Sequence, residues 1–415
     1  MTSNNALSEP KRIRNLKLPE RVSTAEQSAR DADIDLLSHA PKDFLDTTHF
    51  DTVRFPPPLW AEEYFSRAAC DGSLAYTGYR GHPQILESVA QAASGFLGCA
   101  IDPEHNILLT PGTQAGLFAS LSSCVESGTR VAVVDPDYLF TARILRFLDS
   151  DIAYIPLVST DEGPSPDLEL MESEFANHGV KHLVFSHPNN PTGAVYPPKV
   201  INAIAKLAVR YDVRVIVDEL YSRLIYDNTP FSHLAAEPGM SERVITLLGP
   251  SKTESLSGYR LGIVIGPKDL IARAENVLSI TSLRAPAYAQ HVLSGWLRDD
   301  KEWLESRILE FRALRELTLD RFRQLPWLKV QQHDATAYAW LDVSALNMPD
   351  ATIATALLEK AGALISPGYQ FGPSGKGHFR VCFARDEEQW SHTMEKMVQV
   401  LDDLAKNAGL PGKTI

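Results

Sequence analysis

Short apolar runs alternate with amphipathic stretches over residues 60–295. The runs are four or five residues long and lie at 131–134, 182–185, 213–217 and 261–265. Runs this short and this continuously apolar are typical of strands buried on both faces, whereas a buried helix needs about ten residues or more. With helical stretches between them, they predict an α/β fold whose sheet is parallel or mostly parallel and is covered on both sides.

A different pattern begins near residue 300. Apolar residues recur at spacings of three and four, at Leu304, Ile308, Phe311, Leu314 and Leu317. This spacing predicts a long amphipathic helix from Lys301 to about Gln324. Strand-like segments at 338–343 and 377–383 and two further helices follow, which indicates a smaller α+β domain. Residues 1–45 are polar and locally basic, and are predicted to form a partly disordered arm.

Charge narrows the class of protein. The chain has 415 residues, with 40 basic and 52 acidic side chains and a net charge of −12. Binding nucleic acid requires clustered Lys and Arg, so no nucleic-acid partner is expected. No apolar run approaches the ~20 residues of a membrane span, so no membrane partner is expected. A small-molecule substrate fits best.

Location and metal content are also constrained. The first ten residues have no apolar centre of the kind a secretory signal needs, so a cytoplasmic location is expected. The four cysteines include no CxxC pair. Buried thiols are therefore the expected role of these cysteines, and no metal site is predicted.

The most informative segment is 249–262, GPSKTESLSGYRLG. Lys252 lies there among small hydroxyl residues, and Arg260 follows eight residues later. An amine of this kind can form an imine with a carbonyl cofactor, which favours a covalent role for Lys252. The plainer alternative is a solvated surface loop, because Lys and Ser are common in loops.

Two further candidates directly follow apolar strands. Asp218 comes after the run 213–217, and the carboxyl ends of strands in open α/β sheets face the ligand crevice. The alternative for Asp218 is a helix cap. Asn190 lies in 186–193, SHPNNPTG, where two prolines and a glycine predict a rigid turn that can hold an amide against a ligand. A plain turn is the alternative there.

Two weaker candidates lie nearer the amino terminus. Residues 110–116, TPGTQAG, stand between a strand and an apolar helix, where backbone amides can bind a phosphate. Tyr138 ends the segment 135–138, DPDY, directly after the run 131–134. Its ring could stack on a ligand, although a buried core position is the commoner fate of an aromatic residue.

In this order the segments resemble the motifs of the class I/II aminotransferases, enzymes of fold type I that depend on pyridoxal 5'-phosphate (PLP). The resemblance extends from 76–83, YTGYRGHP, to 366–372, SPGYQFG, and 379–381, FRV. It implies an aspartate aminotransferase-like fold with a mostly parallel, seven-stranded-type sheet between helices and a smaller α+β domain.

The same resemblance implies a division into three parts. Residues 1–60 would form an N-terminal arm and part of the small domain. Residues 61–295 would form the large PLP-binding domain, and residues 296–415 the small C-terminal domain.

The resemblance also implies a role for each site residue. Lys252 would hold PLP as a Schiff base and shuttle the substrate proton, Asp218 would pair with the pyridine nitrogen, and the Tyr138 ring would stack on the pyridine; these are the predicted catalytic residues. Arg380 would bind the substrate α-carboxylate. The other cofactor contacts would come from Gly112, Thr113, Gln114, Asn190, Tyr221, Ser251, Arg260 and, across a homodimer with shared sites, Tyr76.

Some positions depart from the family pattern. In 34–41, IDLLSHAP, His39 stands where the family has a glycine near the substrate, so it would contact the substrate or lie displaced on the surface. His187 replaces the first asparagine of the asparagine–proline loop, and Gly249 replaces a hydroxyl residue. Arg284 lies where some dicarboxylate-specific relatives bind the distal carboxylate, or it is simply an exposed arginine.

The implied function is transfer of an amino group between an amino acid and a 2-keto acid by a ping-pong Schiff-base mechanism. The alternative is a PLP-dependent lyase, cyclase or oxidase of the same family that acts on an unusual amino acid, which His39 and His187 would favour. A regulatory, non-catalytic module is disfavoured because the arm is too short for a helix-turn-helix. Neither the donor nor the acceptor follows from the sequence.

Overall fold

The computed structural model describes residues 10–16, 40–50, 55–71, 75–161, 163–331 and 333–414. His39, a predicted substrate-binding residue, lies outside the described residues, as does most of the predicted arm. Of that arm, Lys11–Arg14 form a short helix, and Lys11 Nζ donates to Asp149 at 2.7 Å.

The strands occur throughout the chain from residue 45 onward. In chain order they are β1 (Leu45–Asp46), β2 (Ile107–Pro111), β3 (Arg130–Asp135), β4 (Asp151–Thr160), β5 (Gly163–Pro166), β6 (His182–Ser186), β7 (Arg214–Asp218), β8 (Val244–Leu248), β9 (Leu261–Ile265), β10 (Lys329–Val330), β11 (Tyr338–Asp342), β12 (Ala363–Leu364), β13 (Ser366–Pro367) and β14 (His378–Cys382).

The helices alternate with the strands of the first 265 residues and dominate the rest. They are α1 (Lys11–Arg14), α2 (Leu59–Cys70), α3 (Pro83–Leu97), α4 (Thr113–Cys124), α5 (Leu139–Phe147), α6 (Leu168–Asn177), α7 (Pro198–Arg210), α8 (Lys268–Thr281), α9 (Ala287–Gln290), α10 (Lys301–Phe322), α11 (Asp350–Ala356) and α12 (Glu387–Asn407). None of the helices in the described part of the chain is both long and apolar enough to cross a membrane.

The large sheet has the strand order β2-β9-β8-β7-β6-β3-β4-β5. Strands β8, β7, β6, β3 and β4 are parallel to one another, whereas β9 runs antiparallel to both β2 and β8. The predicted mostly parallel sheet is therefore confirmed. The apolar runs at 131–134, 182–185 and 261–265 lie in its strands, and the run 213–217 begins one residue before β7. An eighth strand, β5, was not predicted; it pairs antiparallel with the long strand β4 and forms one edge of the sheet.

Both faces of the large sheet are covered, which explains why its strands are apolar without alternation. In β3, Ala132 and Val134 contribute to one buried cluster, while Val131 and Val133 contribute to another. Successive side chains of a strand point to opposite faces. The two clusters therefore lie on opposite sides of the sheet, as expected for an α/β fold.

A smaller sheet, ordered β10-β11-β14-β13, is antiparallel throughout. The predicted long helix is confirmed as α10, and it contributes Phe311, Leu314 and Phe322 to the cluster that also holds residues of β11 and β14. The structure thus contains the predicted smaller α+β part. The exact domain boundaries, 1–60, 61–295 and 296–415, stay predictions.

Residues 45–50 join the smaller part rather than the large sheet. Strand β1 pairs in parallel with β12, and the next residue, Thr47, continues with a hydrogen bond to the carbonyl of Leu364 at 2.9 Å. The carbonyl of Thr47 accepts from the amide of Cys382 at 2.8 Å. These bonds carry the chain to residues 48–50, at the junction of the two sheets.

Candidate active site

A cavity of about 500 Å³ opens at the carboxyl ends of the parallel strands. Loops after β6, β7 and β8 reach it, as expected for a ligand crevice of an open α/β sheet. Ten of the predicted site residues contribute to its walls: Thr113, Gln114, Tyr138, Asn190, Asp218, Tyr221, Ser251, Lys252, Arg260 and Arg380. Segments that lie far apart in the sequence therefore meet at one place.

Lys252 lies in the loop between β8 and β9. Its Nζ donates to the carbonyl oxygen of Phe50, 202 residues upstream, and lies 5.9 Å from the centroid of the Phe50 ring. The amine is therefore at the cavity wall, where the N-terminal segment meets the large sheet.

Asp218 ends β7 with its carboxyl group at the cavity. Burial raises the pKa of this carboxyl group to about 6, while a hydrogen bond from the amide of Leu220 and the charge of Lys252 act in the opposite direction. A cationic ligand atom beside Asp218 would stabilise the carboxylate and bring its pKa down again. This wall therefore favours a positively charged ligand group.

An anion cup lies at the start of α4. Gly112 has φ 84°, and a Cβ at this position would collide with the guanidinium of Arg260. The hydroxyl of Thr113 is buried and has no hydrogen-bond partner within the described ranges. A helix N-terminus, a hydroxyl and a guanidinium are a donor set suited to a phosphate. Because Gly112 has no side chain, it leaves room for the Arg260 guanidinium.

The side chains of Tyr138 and Gln114 are joined at the cavity wall. The Tyr138 hydroxyl donates to Gln114 Oε1 at 3.0 Å, which links the loop after β3 to the first turn of α4. Nearby, the Ser251 hydroxyl donates to the carbonyl of Leu261 at 3.3 Å. Tyr138 is half-buried: it packs against two core clusters and also lines the cavity, so its ring can meet a ligand.

Arg380 is held on several sides. Its NH1 donates to Asn190 Oδ1 at 2.7 Å, and NH2 donates to the carbonyl of Thr48 and, at 3.3 Å, to Ser366 Oγ. Its guanidinium carbon lies 4.0 Å from the ring centroid of Tyr338. The acceptor role of Asn190 Oδ1 orients the amide so that Nδ2 is the donor offered to a ligand. The buried guanidinium is fixed before any carboxylate binds.

Tyr221 lies at the same wall with its hydroxyl 3.0 Å from that of Tyr338. Burial raises the pKa of Tyr221 well above its usual value, and the neighbouring Tyr338 acts in the same direction. Both hydroxyls therefore stay protonated at neutral pH and serve as hydrogen-bond donors.

Several wall residues were not predicted from the sequence. Thr48, His49 and Phe50 line the cavity, as do Phe140 and Tyr338. The only signal for Phe140 was its position two residues after Tyr138. For residues 48–50 and Tyr338 the sequence carries no motif, because their place depends on the pairing of β1 with β12 and of β11 with β14.

Three predicted residues in the described ranges are not part of the cavity wall: Gly112, which borders the Arg260 guanidinium, and Tyr76 and Arg284. Tyr76 is 85% exposed. Arg284 donates through Nε to the carbonyl of Thr77 at 2.7 Å and stacks on the rings of Tyr76 and Tyr79, with its guanidinium carbon 4.8 and 4.4 Å from their centroids. Within one chain, neither Tyr76 nor Arg284 reaches the cavity, so their predicted contacts depend on a second subunit and stay predictions.

His187 is a core residue in this structure. Its ring is stacked between Tyr196 and Phe231, with centroids 5.1 and 4.4 Å away, and Nε2 accepts from the amide of Tyr196 at 3.1 Å. Burial lowers the pKa of His187 to about 3, so it is neutral. His187 does not line the cavity, and one of the two features that favoured a rival chemistry is thereby removed.

Comparison with known proteins gives the family. The model of the family "Aminotransferase class I and II" matches residues 47–397. The chain is 30% identical over 350 residues to the aspartate/prephenate aminotransferase of Thermus thermophilus, covering 84% of this chain and 88% of the relative. It is 25% identical over 351 residues to the aromatic-amino-acid aminotransferase 2 of Thermococcus litoralis, covering 84% and 90%.

A solved structure agrees with these relatives. The crystal structure of an aspartate aminotransferase from Rhodobacter sphaeroides superimposes with a TM-score of 0.83 at 36% identity, covering 88% of this chain and 95% of that chain. The chain therefore belongs to the class I and II aminotransferases, a family of PLP-dependent enzymes, and it is an enzyme of amino-group transfer. The predicted family, fold and reaction class are confirmed, and the rival lyase, cyclase or oxidase is not favoured.

The family match also bears on the amino terminus. It begins at residue 47, downstream of the segment 34–41 in which His39 was aligned with a family glycine. The segment that the structure brings to the cavity is 48–50. The predicted role of His39 stays untested, and His49 is the histidine that the described chain places at the site.

Proposed function

We propose that this chain binds PLP in the cavity through Lys252 and moves an amino group from an amino acid to a 2-keto acid in two half-reactions. The observation that carries the proposal is the convergence of an amine, a carboxylate, an anion cup and a guanidinium around about 500 Å³. When bound, PLP supplies an electrophilic carbon for the substrate amine and a ring that accepts electrons from the substrate α-carbon.

The residues present fit this cofactor from end to end. Arg260, the amides at the start of α4 and the buried hydroxyl of Thr113 suit its phosphate. Burial raises the pKa of Asp218 to about 6, and a protonated ring nitrogen beside it would stabilise the ionised carboxylate. The Tyr138 ring and the Nδ2 donor of Asn190 suit the ring face and the phenolic oxygen. The Tyr221 hydroxyl, which donates to Tyr338 at 3.0 Å, would turn to that oxygen to become its second donor.

Lys252 has two tasks in this proposal. Its Nζ would hold the cofactor covalently before substrate arrives, and the amine that substrate sets free would act as the base that takes the proton from the substrate α-carbon. The amine already lies at the cavity wall, where Nζ donates to the Phe50 carbonyl.

Arg380 binds and orients the substrate. Two nitrogen atoms of a guanidinium can pair with the two oxygens of an α-carboxylate, which fixes both the position and the rotation of the substrate. Asn190 and the Tyr338 ring hold the guanidinium in place. The orientation sets which bond of the α-carbon lies nearest to Lys252 Nζ.

The same proposal includes a homodimer with shared sites and a cytoplasmic location. Tyr76 is exposed and supports the stacked Arg284, so the pair forms part of an accessible surface that a second subunit could cover. Tyr76 would then reach the partner's phosphate, and Arg284 the distal carboxylate of a dicarboxylic substrate. Aspartate or glutamate is one candidate substrate on that ground.

Lys252→Ala tests the proposal directly. The purified protein with PLP is expected to show the visible absorbance of a lysine-bound cofactor, and Lys252→Ala is expected to lose both that band and amino-group transfer. Lys268→Ala, which changes a lysine in the first turn of α8, is the matched control and should keep both. A band that persists in Lys252→Ala would refute the assignment.

The reaction class is tested with the same preparation. Amino acids are screened with 2-oxoglutarate, and formation of glutamate that requires the keto acid supports transfer. Oxygen consumption, or ammonia release without a keto acid, would instead support the rival chemistry.

A further inference from the structure

A buried carboxylate that the proposed reaction does not use lies directly behind the cavity. Asp137 follows β3, and its side chain is only 3% exposed. Its Oδ2 accepts from the amide of Ser186 at 2.9 Å, from the hydroxyl of Ser186 at 3.1 Å and from Asn189 Nδ2 at 3.1 Å. Its Oδ1 accepts from the amide of Tyr138 at 2.6 Å. One carboxylate thus ties the loop after β3 to the loop after β6.

The hydrogen bonds continue from Asp137 to the substrate side of the cavity. The Ser186 hydroxyl, besides donating to Asp137, accepts from the amide of Asn190 at 3.0 Å. Asn190 in turn accepts from Arg380 at 2.7 Å through its side chain. Asp137 therefore acts on both the Tyr138 ring and the Asn190 amide.

The surroundings of Asp137 also shift the pKa of its carboxyl group. Burial raises its pKa to about 8, the donors on Ser186 and Tyr138 act against this, and the charge of nearby Asp218 adds to the rise. The phenol of Tyr196, whose pKa is raised by burial and by Asp137, is a further titratable group beside it. An apolar residue at position 137 would deprive four donors of this acceptor, so the carboxyl group is what holds these donors in place.

We propose that Asp137 is a positioning residue that sets the Tyr138 ring and the Asn190 amide against the cofactor ring. The inference rests on the proposed function, because the ligand contacts of Tyr138 and Asn190 belong to it. Asp137 touches neither cofactor nor substrate and acts only through Ser186, Asn189 and the backbone of Tyr138.

The chain offers a matched control on the same loop. Asp135, two residues before Asp137, is also buried, and its Oδ2 accepts from the amide of Ser374 at 2.9 Å. In Asp135→Asn the amide oxygen can still accept this bond, and Ser186 and Asn189 are not involved. In Asp137→Asn, by contrast, both positions of the carboxyl group accept hydrogen bonds, so the new Nδ2 must face either the amide of Tyr138 or the donors of Ser186 and Asn189.

The test compares Asp137→Asn, Ser186→Ala, Asn190→Ala and Asp135→Asn in the PLP-loaded protein. A donor at the phenolic oxygen favours the deprotonated state of the lysine-bound cofactor, so Asn190→Ala is expected to raise the pKa of the visible band. Asp137→Asn should move this pKa in the same direction and weaken PLP binding to the apoprotein roughly tenfold. Ser186→Ala should do the same to a smaller extent, and Asp135→Asn should do neither.

The outcomes separate this inference from the proposed function. If Asp137→Asn lowers only thermal stability, with the band pKa and PLP affinity unchanged, the positioning role is refuted. Equal effects of Asp135→Asn would refute it too. Where Asp137→Asn yields no folded protein, Ser186→Ala decides by the same two measurements. A visible band that survives Lys252→Ala would overturn the proposed function itself, whatever the Asp137 variants do.

Discussion

The two ends of the cavity are built in different ways. The proposed cofactor end consists of residues at or just beyond the ends of strands of the large sheet, such as Asp218 at the end of β7 and Thr113 shortly after β2. The mouth combines residues 48–50 with Tyr338 and Arg380 of the smaller sheet. The residues of the first end belong to short sequence motifs. The mouth, by contrast, brings together segments that lie more than 300 residues apart, as in the hydrogen bond from Arg380 to Thr48.

The largest expected effect concerns the mouth. Arg380→Met removes the predicted α-carboxylate partner, and two charge-assisted hydrogen bonds of about 1.5–3 kcal/mol each would be lost. We expect kcat/KM for the amino acid to fall by roughly a hundredfold or more, at about 1.4 kcal/mol per factor of ten, with little change in PLP affinity. Steady-state kinetics and a PLP titration check this. If Arg380→Met instead lost PLP but bound substrate normally, Arg380 would belong to the cofactor end and its assignment to the mouth would be wrong.

The next effect concerns the cofactor end. In Gly112→Ala the new Cβ collides with the Arg260 guanidinium, and the backbone at φ 84° and ψ 155°, a region that is nearly restricted to glycine, adds strain of about 1–3 kcal/mol. We expect the dissociation constant of PLP to rise by roughly thirtyfold once a weakened phosphate contact is included. Equilibrium titration of the apoprotein measures it.

Gly258→Ala is the control for that variant. Gly258 also lies at the cavity, yet a Cβ there would meet no atom within 4 Å. It should leave the PLP dissociation constant nearly unchanged. Equal losses in both variants would mean that the space for Arg260 is not the reason for the glycine at position 112.

The smallest expected effect comes from removing the hydroxyl of Tyr338 at the mouth. Tyr338→Phe keeps the ring that stacks on Arg380 but removes the hydroxyl 3.0 Å from that of Tyr221. A neutral hydrogen bond contributes about 1 kcal/mol, so we expect kcat/KM to change by roughly fivefold or less. Tyr338→Ala, which also removes the ring, should cost clearly more. Equal kinetics for the two variants would show that the ring does not hold Arg380.

Much of the cofactor end could be predicted from the sequence. Asp218 and Asn190 each come at or after the end of a short apolar run that is recognisable as a strand. The carboxyl ends of parallel strands lie at the same edge of the sheet, so these residues are expected to lie close together. Lys252 and Arg260 share one loop, so their separation is fixed locally. The strand β5 escaped prediction because its residues, Gly163–Pro166, carry no apolar run and pair only because β4 is long.

The mouth shows where such reasoning ends. His39 was selected by a local match in 34–41, yet the described segment that reaches the cavity is 48–50. His187 was read as a possible functional histidine, and its stacking between Tyr196 and Phe231 makes it a core residue. Both depend on which segments pack together, and no spacing within either segment reveals that.

The sequence by itself determined the family, the mostly parallel sheet and many of the residues that line the cavity beside the large sheet. Those features rest on local order, in which a strand, the turn after it and the polar residue on that turn are neighbours in the chain. Only the tertiary structure decided that Phe50 meets Lys252, that Tyr338 supports Arg380 and that Asp137 lies behind the cavity. These contacts are set by the packing of distant segments, where burial and hydrogen bonding act through space rather than along the chain.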